Sequence, residues 1–245
     1  MAEPLLITSW DDGHPADRRL ADRLARLGIA ATFFAPLRNA EGRAVMTAAD
    51  LRALAAGGFE VAAHTLDHRR LTSLPEAEAR RQLVDGRRRL EDILGAEVSS
   101  FAYPGGRIGW RGRRLVAEAG FRYARCTRMF CLSPGDDALA IGTTVQFHPH
   151  RPAAVLRNWM RQGAGVARLR LALRWLNAGD LEAAVAAMAD AAFAGGGALH
   201  LWGHSWEIEE QGLWPVLERV MAGLAARTPT ASRLTVGALG ALQFP

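Results

Sequence analysis

Short apolar runs alternate with longer stretches of helical spacing along this chain. Leu5-Leu6-Ile7-Thr8 reads as a buried strand. Pro15 then opens a helical pattern over 16–27, with Leu20, Leu24 and Leu27 on one face and Gly28 as its stop. Further strands are expected over 29–34, 59–63, 99–103, 121–126 and 198–202. A short strand is expected at 139–141, followed by an extended stretch over 145–150. Helices are expected from a Thr47 cap through Ala56, and over 75–94, 110–119, 181–193 and 213–226. Ser73 and Glu76 have capping-box spacing ahead of the second of these. Residues 153–176 read as helical and basic, interrupted by Gly163 and Gly165, and 234–242 closes the chain.

Alternating strands and helices argue a parallel sheet. About seven such units in 245 residues favour an α/β barrel, with a doubly wound open sheet as the alternative. No repeat, linker or composition break divides the chain, so one domain over 1–245 is expected. Neither Gly105-Gly106 nor Gly195-Gly196-Gly197 has dinucleotide-loop spacing.

Composition refines this only in part. Hydrophobic residues make up 49% and charged residues 22%, an ordinary globular balance. Arginine carries the positive charge, and the net +5 points to anionic partners such as phosphates, lipid head groups or nucleic acid. A GC-rich genome produces the same arginine usage. Cys126 and Cys131 form neither a disulfide framework nor a closed zinc site, and read as small buried side chains. The N-terminus has no signal-peptide pattern and no apolar run approaches a membrane span of ~20 residues, so a cytoplasmic location is expected.

The chemistry gathers just past the carboxyl ends of the expected strands, where parallel α/β folds carry their sites. Asp11-Asp12-Gly13 ends the first strand. Alternation sends the two carboxylates in different directions, and paired acids repel unless a cation or a shared proton occupies the site. A solvated turn is the plain alternative. His64 and His68 stand four apart, which on a helical turn aims both imidazoles one way. With Asp12 they make a donor set for a divalent ion: zinc, cobalt, nickel, iron or manganese. Asp11 is then free to take a proton from water, His204 to protonate a leaving amine, and backbone N–H groups near Gly105 to hold an oxyanion. This describes hydrolysis of an amide or ester, and an amide fits better because a departing amine needs a proton. His200, on the same face of its strand as His204, is the rival acid.

These residues carry a family resemblance. Ser9-Trp10-Asp11-Asp12-Gly13 resembles the Thr-Phe-Asp-Asp-Gly first motif of the polysaccharide deacetylases, carbohydrate esterase family four. His64-Thr65-Leu66-Asp67-His68 matches their second motif. Phe101-Ala102-Tyr103-Pro104-Gly105-Gly106 resembles the third, and Leu201-Trp202-Gly203-His204 the fifth. The resemblance spans roughly residues 5 to 206. It implies a distorted (β/α)7 barrel (the NodB-homology domain), with a metal, zinc first among the candidates, on Asp12, His64 and His68. It also implies Asp11 as base and His204 as acid, with Tyr103, Pro104, Gly105, Trp202 and Glu207 toward the substrate or oxyanion.

Two departures stand out. Ala102 occupies the place where many members carry an arginine that orients the base, and Arg125, Arg107 and Arg151 are the candidate substitutes. The fourth motif, an acid that orients the histidine, is not evident, and Glu207 is assigned either to that role or to substrate contact. His148 and His150 fall on a substrate loop or on a solvated one.

The implied substrate is an N-acetyl or N-formyl amino sugar, carried on a cytoplasmic precursor, a nucleotide or a polyprenyl phosphate. Residues 157–175 interleave Arg157, Arg161, Arg168, Arg170 and Arg174 with Trp159, Met160, Val166, Leu169, Leu171, Leu173 and Trp175. That segment either lies on an anionic membrane at the inner face or is a barrel helix with a solvated arginine face. The competing functions are hydrolysis of a small non-sugar amide and non-catalytic carbohydrate or lipid binding. No nucleic-acid partner is expected, because charge is unaccompanied by any recognition pattern.

Overall fold

In the computed structural model, β1 (Leu5–Asp11) is an interior strand of one parallel sheet, paired on both edges. Residues 3–161, 163 and 165–244 are described; Met1, Ala2, Gln162, Ala164, Pro245 and the side chain of Arg161 lie outside the described residues. The other strands, in chain order, are β2 (Thr32–Ala35), β3 (Glu60–Ala63), β4 (Ser100–Ala102), β5 (Tyr123–Arg125), β6 (Val145–Gln146), β7 (Ala198–Gly203) and β8 (Arg233–Leu234). Their spatial order is β5-β4-β3-β2-β1-β7-β6, with β8 paired to β1 at Leu6 and Ile7. The helices are α1 (Asp17–Arg26), α2 (Ala48–Ala56), α3 (Glu76–Leu94), α4 (Trp110–Glu118), α5 (Pro152–Arg161), α6 (Val166–Leu176), α7 (Leu181–Ala194), α8 (Ser205–Glu210), α9 (Trp214–Arg227) and α10 (Val236–Gln243).

Strands covered on both faces explain why the apolar runs do not alternate. Outward residues such as Leu6, Trp10, Phe33 and Leu199 join the helices in the larger core. Inward residues, among them Ile7, Phe34, Ala62, Ala102 and Tyr123, form a smaller core inside the curl. The curl is completed by 138–146. Ala124 N donates to Ala138 O (2.7 Å), Ile141 N donates to Ala124 O (2.9 Å), and β6 then pairs with β7. The expected strand at 139–141 is therefore a single bridge, Ile141 to Arg125. Helix α10 plugs the end opposite the strands' carboxyl termini, with Val236 N donating to Thr32 Oγ1 (2.8 Å) and Gly237 N to Glu60 Oε2 (2.9 Å). This is the distorted barrel, and the open-sheet alternative falls.

Several local expectations need correction. The Ser73–Glu76 capping box does not form. Ser73 sits in a 3-10 turn (Leu71–Ser73) and donates to Arg70 O at 2.8 Å, while Pro75 takes the N-cap place. A full box forms instead at Thr47 and Asp50. The strand after α1 begins at Thr32 rather than Ile29. Residues 153–176 are two helices, α5 and α6, either side of the two glycines. Val155, Ala172 and Trp175 are in the main core, whereas Leu156, Met160, Val166 and Leu173 are exposed. No helix among the described residues is long and apolar enough to cross a membrane.

One contact links the fold to the site. The turn after β3, which carries His64 and His68, is seated on α3. Leu66 N donates to Gln82 O (3.0 Å) and Asp67 N to Gln82 Oε1 (2.9 Å). Gly86 lets the helix approach, since a Cβ there would fall 2.9 Å from Leu66 N. Alanine at this position should gain about 1 kcal/mol of helix propensity. It must also push the turn away, so Gly86→Ala is expected to lower stability by a net of about 1–3 kcal/mol in urea unfolding.

Candidate active site

A cavity of about 330 Å3 at the carboxyl end of the sheet is lined by Asp11, Asp12, His64, His68, Gly105, Trp202 and His204, among others. Asp12, His64 and His68 each offer one donor atom, and these atoms lie within 4.8 Å of one another. Asp12 Oδ1 is 3.0 Å from His68 Nε2 and 3.6 Å from His64 Nε2. It is buried and accepts no aligned hydrogen bond. His64 Nδ1 donates to Ala102 O at 2.8 Å, which fixes the tautomer and leaves Nε2 a lone pair toward Asp12. Asp12 Oδ2 accepts from Trp206 Nε1 at 2.8 Å, so Oδ1 is the oxygen turned to the imidazoles. A buried orphan oxygen beside two free imidazole nitrogens fits a borderline divalent cation.

The backbone makes this convergence. Strand alternation alone would part Asp11 from Asp12, yet both face the cavity. Asp12 has φ 79°, a left-handed turn that swings its side chain back to the face used by Asp11. The His64–His68 segment is not helical; Thr65 (φ 62°) and His68 (φ 57°) are left-handed too. The two rings end with centroids 5.0 Å apart. Asp12, Thr65 and His68 are three of the four non-glycine residues with positive φ among the described residues, so strained backbone is concentrated at the site.

Asp11 forms a buried ion pair with Arg125 from β5. The guanidinium lies between the Phe34 ring (5.1 Å) and the Trp202 ring (5.0 Å). Of the three arginines considered for the place left by Ala102, Arg125 is the one that reaches Asp11. Arg107 lines a neighbouring cleft instead.

His204 Nδ1 donates to Glu207 Oε2 at 2.8 Å, and its Nε2 is 3.9 Å from Asp12 Oδ2. Burial pulls the imidazole pKa down, but the Glu207 bond and the Asp12 charge outweigh it and raise it to about 9. Burial pushes Glu207 up, and its contacts with His148 and His204 win, bringing it to about 2. Burial likewise opposes the ionised form of Asp12, and contacts with His64 and His68 hold it well below the usual carboxylate range. Burial drives Asp17, at the start of α1, well above its ordinary value, helped by the charges of Asp12 and Asp11.

The remaining expected residues divide. Gly105 and Trp202 line the cavity, and Glu207 stands behind His204. Tyr103 and Pro104 are buried; the Tyr103 hydroxyl donates to Leu139 O (3.0 Å) and its ring packs on Phe101. They shape the loop rather than the cavity wall. His200 is buried below, bonded to Ser9 Oγ at 2.9 Å, outside the cavity lining, and burial brings it down to about 3. His148 sits 3.3 Å from Glu207 Oε1. Sequence reasoning missed Trp206, Gln146 and Arg43. The Arg43 guanidinium lies 3.4 Å over the Trp206 ring, a pairing across long sequence separation that no local spacing signals.

Comparison with known proteins bears on the family and the fold. A family profile described as polysaccharide deacetylase matches residues 1–124. YxkH of Bacillus subtilis (strain 168), whose name assigns it to the polysaccharide deacetylases, is 21% identical over 160 residues, covering 59% of this chain. The chain spans 57% of the length of that relative. A Mycobacterium smegmatis structure assigned as a polysaccharide deacetylase superposes with a TM-score of 0.65 at 18% identity, over 100% of this chain and 92% of its own. The allantoinase Puue also gives 0.65, at 16% identity, over 92% of this chain and 84% of its own. At such identities both structures speak to the fold alone.

Removing Arg125 leaves the Asp11 charge buried and alone. Arg125→Met is expected to cost about 3–5 kcal/mol in denaturant unfolding. Adding Asp11→Asn should recover much of that loss, giving a strongly non-additive double-mutant cycle.

Proposed function

This chain belongs to the polysaccharide deacetylase family, and from that membership and the cavity we propose a metal-dependent hydrolase that removes an acetyl or formyl group from the nitrogen of an amino sugar. The observation that carries the reading is the convergence of Asp12, His64 and His68 beside Asp11 and His204 in one cavity. Asp12, His64 and His68 would hold the ion, zinc first, with cobalt, nickel, iron or manganese also compatible with nitrogen and oxygen donors. When bound, such an ion lowers the pKa of water and polarises an acyl carbonyl.

The chain's own residues do the rest. Asp11 takes the proton from the attacking water, held in place by Arg125. His204 presents Nε2 to the departing amine, because Nδ1 is engaged by Glu207. The raised pKa keeps that imidazole charged at neutral pH, ready to donate. Gly105 brings backbone to the cavity edge near the expected oxyanion. Trp202 and Trp206 wall the acyl site.

Incubating the protein with N-acetyl and N-formyl amino sugars should release acetate or formate, with loss of turnover on chelation and its return on adding zinc or cobalt. Asp11→Asn should lower kcat by about 10²–10⁴-fold. Turnover confined to a cyclic amide such as allantoin, or indifference to chelation, would overturn the reading.

The acid form of His204 exists below its pKa, so kcat should fall as pH rises toward about 9. A cation on Asp12 weakens that carboxylate's pull and moves the limb to somewhat lower pH. Glu207→Gln removes the stronger partner, and the alkaline limb should shift down toward the ordinary imidazole value of about 6.5.

A further inference from the structure

A second cavity, of about 860 Å3, opens beside the metal cavity. The two share Arg70, Gly105, Thr127 and Asn158 along a common edge. Its walls come from the turn after β3, the loop after β4 and helix α5. Arg70, Arg107 and Arg157 line it, one from each wall, and no carboxylate does. All three are exposed, and none has an ion-pair partner among the described residues. By contrast Arg80, Arg81, Arg87 and Arg114, on α3 and α4, all reach glutamates. Gly105 at φ 66° makes room for the first of the three, since a Cβ there would fall 2.7 Å from Arg70 Nε.

Three cations lining one cleft without a counter-charge among its walls repel one another until an anion arrives. Guanidinium groups match phosphate oxygens in a two-point fork, and a phosphate ester carries more charge than a single carboxylate. An acyl group at the metal cavity needs little of this space, so the larger cleft is available to whatever the sugar is attached to. We infer that the arginine cleft binds a phosphate group on the substrate, so that the amino sugar is deacylated as its phosphate ester. The ester belongs either to a nucleotide or to a polyprenyl lipid. This deepens the proposed deacylase reading and rests on it for the identity of the substrate.

Inorganic pyrophosphate is the probe, titrated calorimetrically into the full chain with and without zinc. Metal-free binding excludes direct ligation of the ion by phosphate and is independent of turnover. If no sugar is deacylated while the cleft still binds, the deacylase reading fails and the anion site stands. Saturable binding is expected, weakened about tenfold by each of Arg70→Gln, Arg107→Gln and Arg157→Gln, about one charge-assisted contact apiece. Arg52→Gln, an exposed arginine on α2, should leave it unchanged. Competition by uridine diphosphate N-acetylglucosamine assigns the nucleotide as source, and competition by decaprenyl-phosphate-linked N-acetylglucosamine in micelles assigns the lipid. No saturable binding, equal affinity in the cleft variants and Arg52→Gln, glucuronate binding as tightly as pyrophosphate, or failure of both esters to compete would each overturn the inference.

Discussion

Two carboxylates on consecutive residues face one small cavity, and every other feature of the site manages their repulsion. Asp11 is neutralised by Arg125, a fully buried guanidinium between two aromatic rings. Asp12 is surrounded by His64, His68 and His204, whose imidazoles favour its ionised form despite burial. In a low-dielectric pocket such charges are costly alone and stable only as a matched set. The match also assigns separate tasks to adjacent residues. One carboxylate is tied to an arginine and free of the imidazoles, while the other is turned toward two ring nitrogens.

The scaffold enforces this arrangement through strained backbone. A left-handed conformation costs about 1 kcal/mol or more for a residue with a side chain, and Asp12, Thr65 and His68 all adopt it. Dense packing behind the two turns holds them there. Gly13 comes so close to β2 that a Cβ would lie 2.9 Å from Ala35 Cβ. Gln82 and Gly86 of α3 brace the His64–His68 turn in the same way. The convergence of Asp12, His64 and His68 is thus a property of the helix layer as much as of these three residues.

Charge organises the outer region too. Glu207 bonds His204 and raises its pKa, and Gln146 and His148 also contact that carboxylate. Beyond it the balance changes. The smaller cavity mixes three carboxylates with two arginines and three histidines, whereas the adjoining cleft carries arginines and no carboxylate, with Arg70 in both. A substrate spanning both would present a carbonyl to one and an anion to the other.

Much of this was legible in the residues alone. Apolar runs separated by helical spacing, with glycines at helix ends, dictate a parallel α/β curl. Motif spacing marks Asp11, Asp12, His64, His68 and His204, because these chemistries are local to strand ends. The sequence also raised Arg125 as a candidate for the place of Ala102 but could not select it over Arg107 and Arg151. Only the register of β4 against β5 decided that, by bringing residue 125 beside residue 102. The failed Ser73 capping box, the coplacement of Asp11 and Asp12 on one face, and the burial of His200 beneath the cavity have the same origin. Each turns on backbone conformation or burial depth, which arise when distant segments pack, and neighbouring residue identities alone do not determine them.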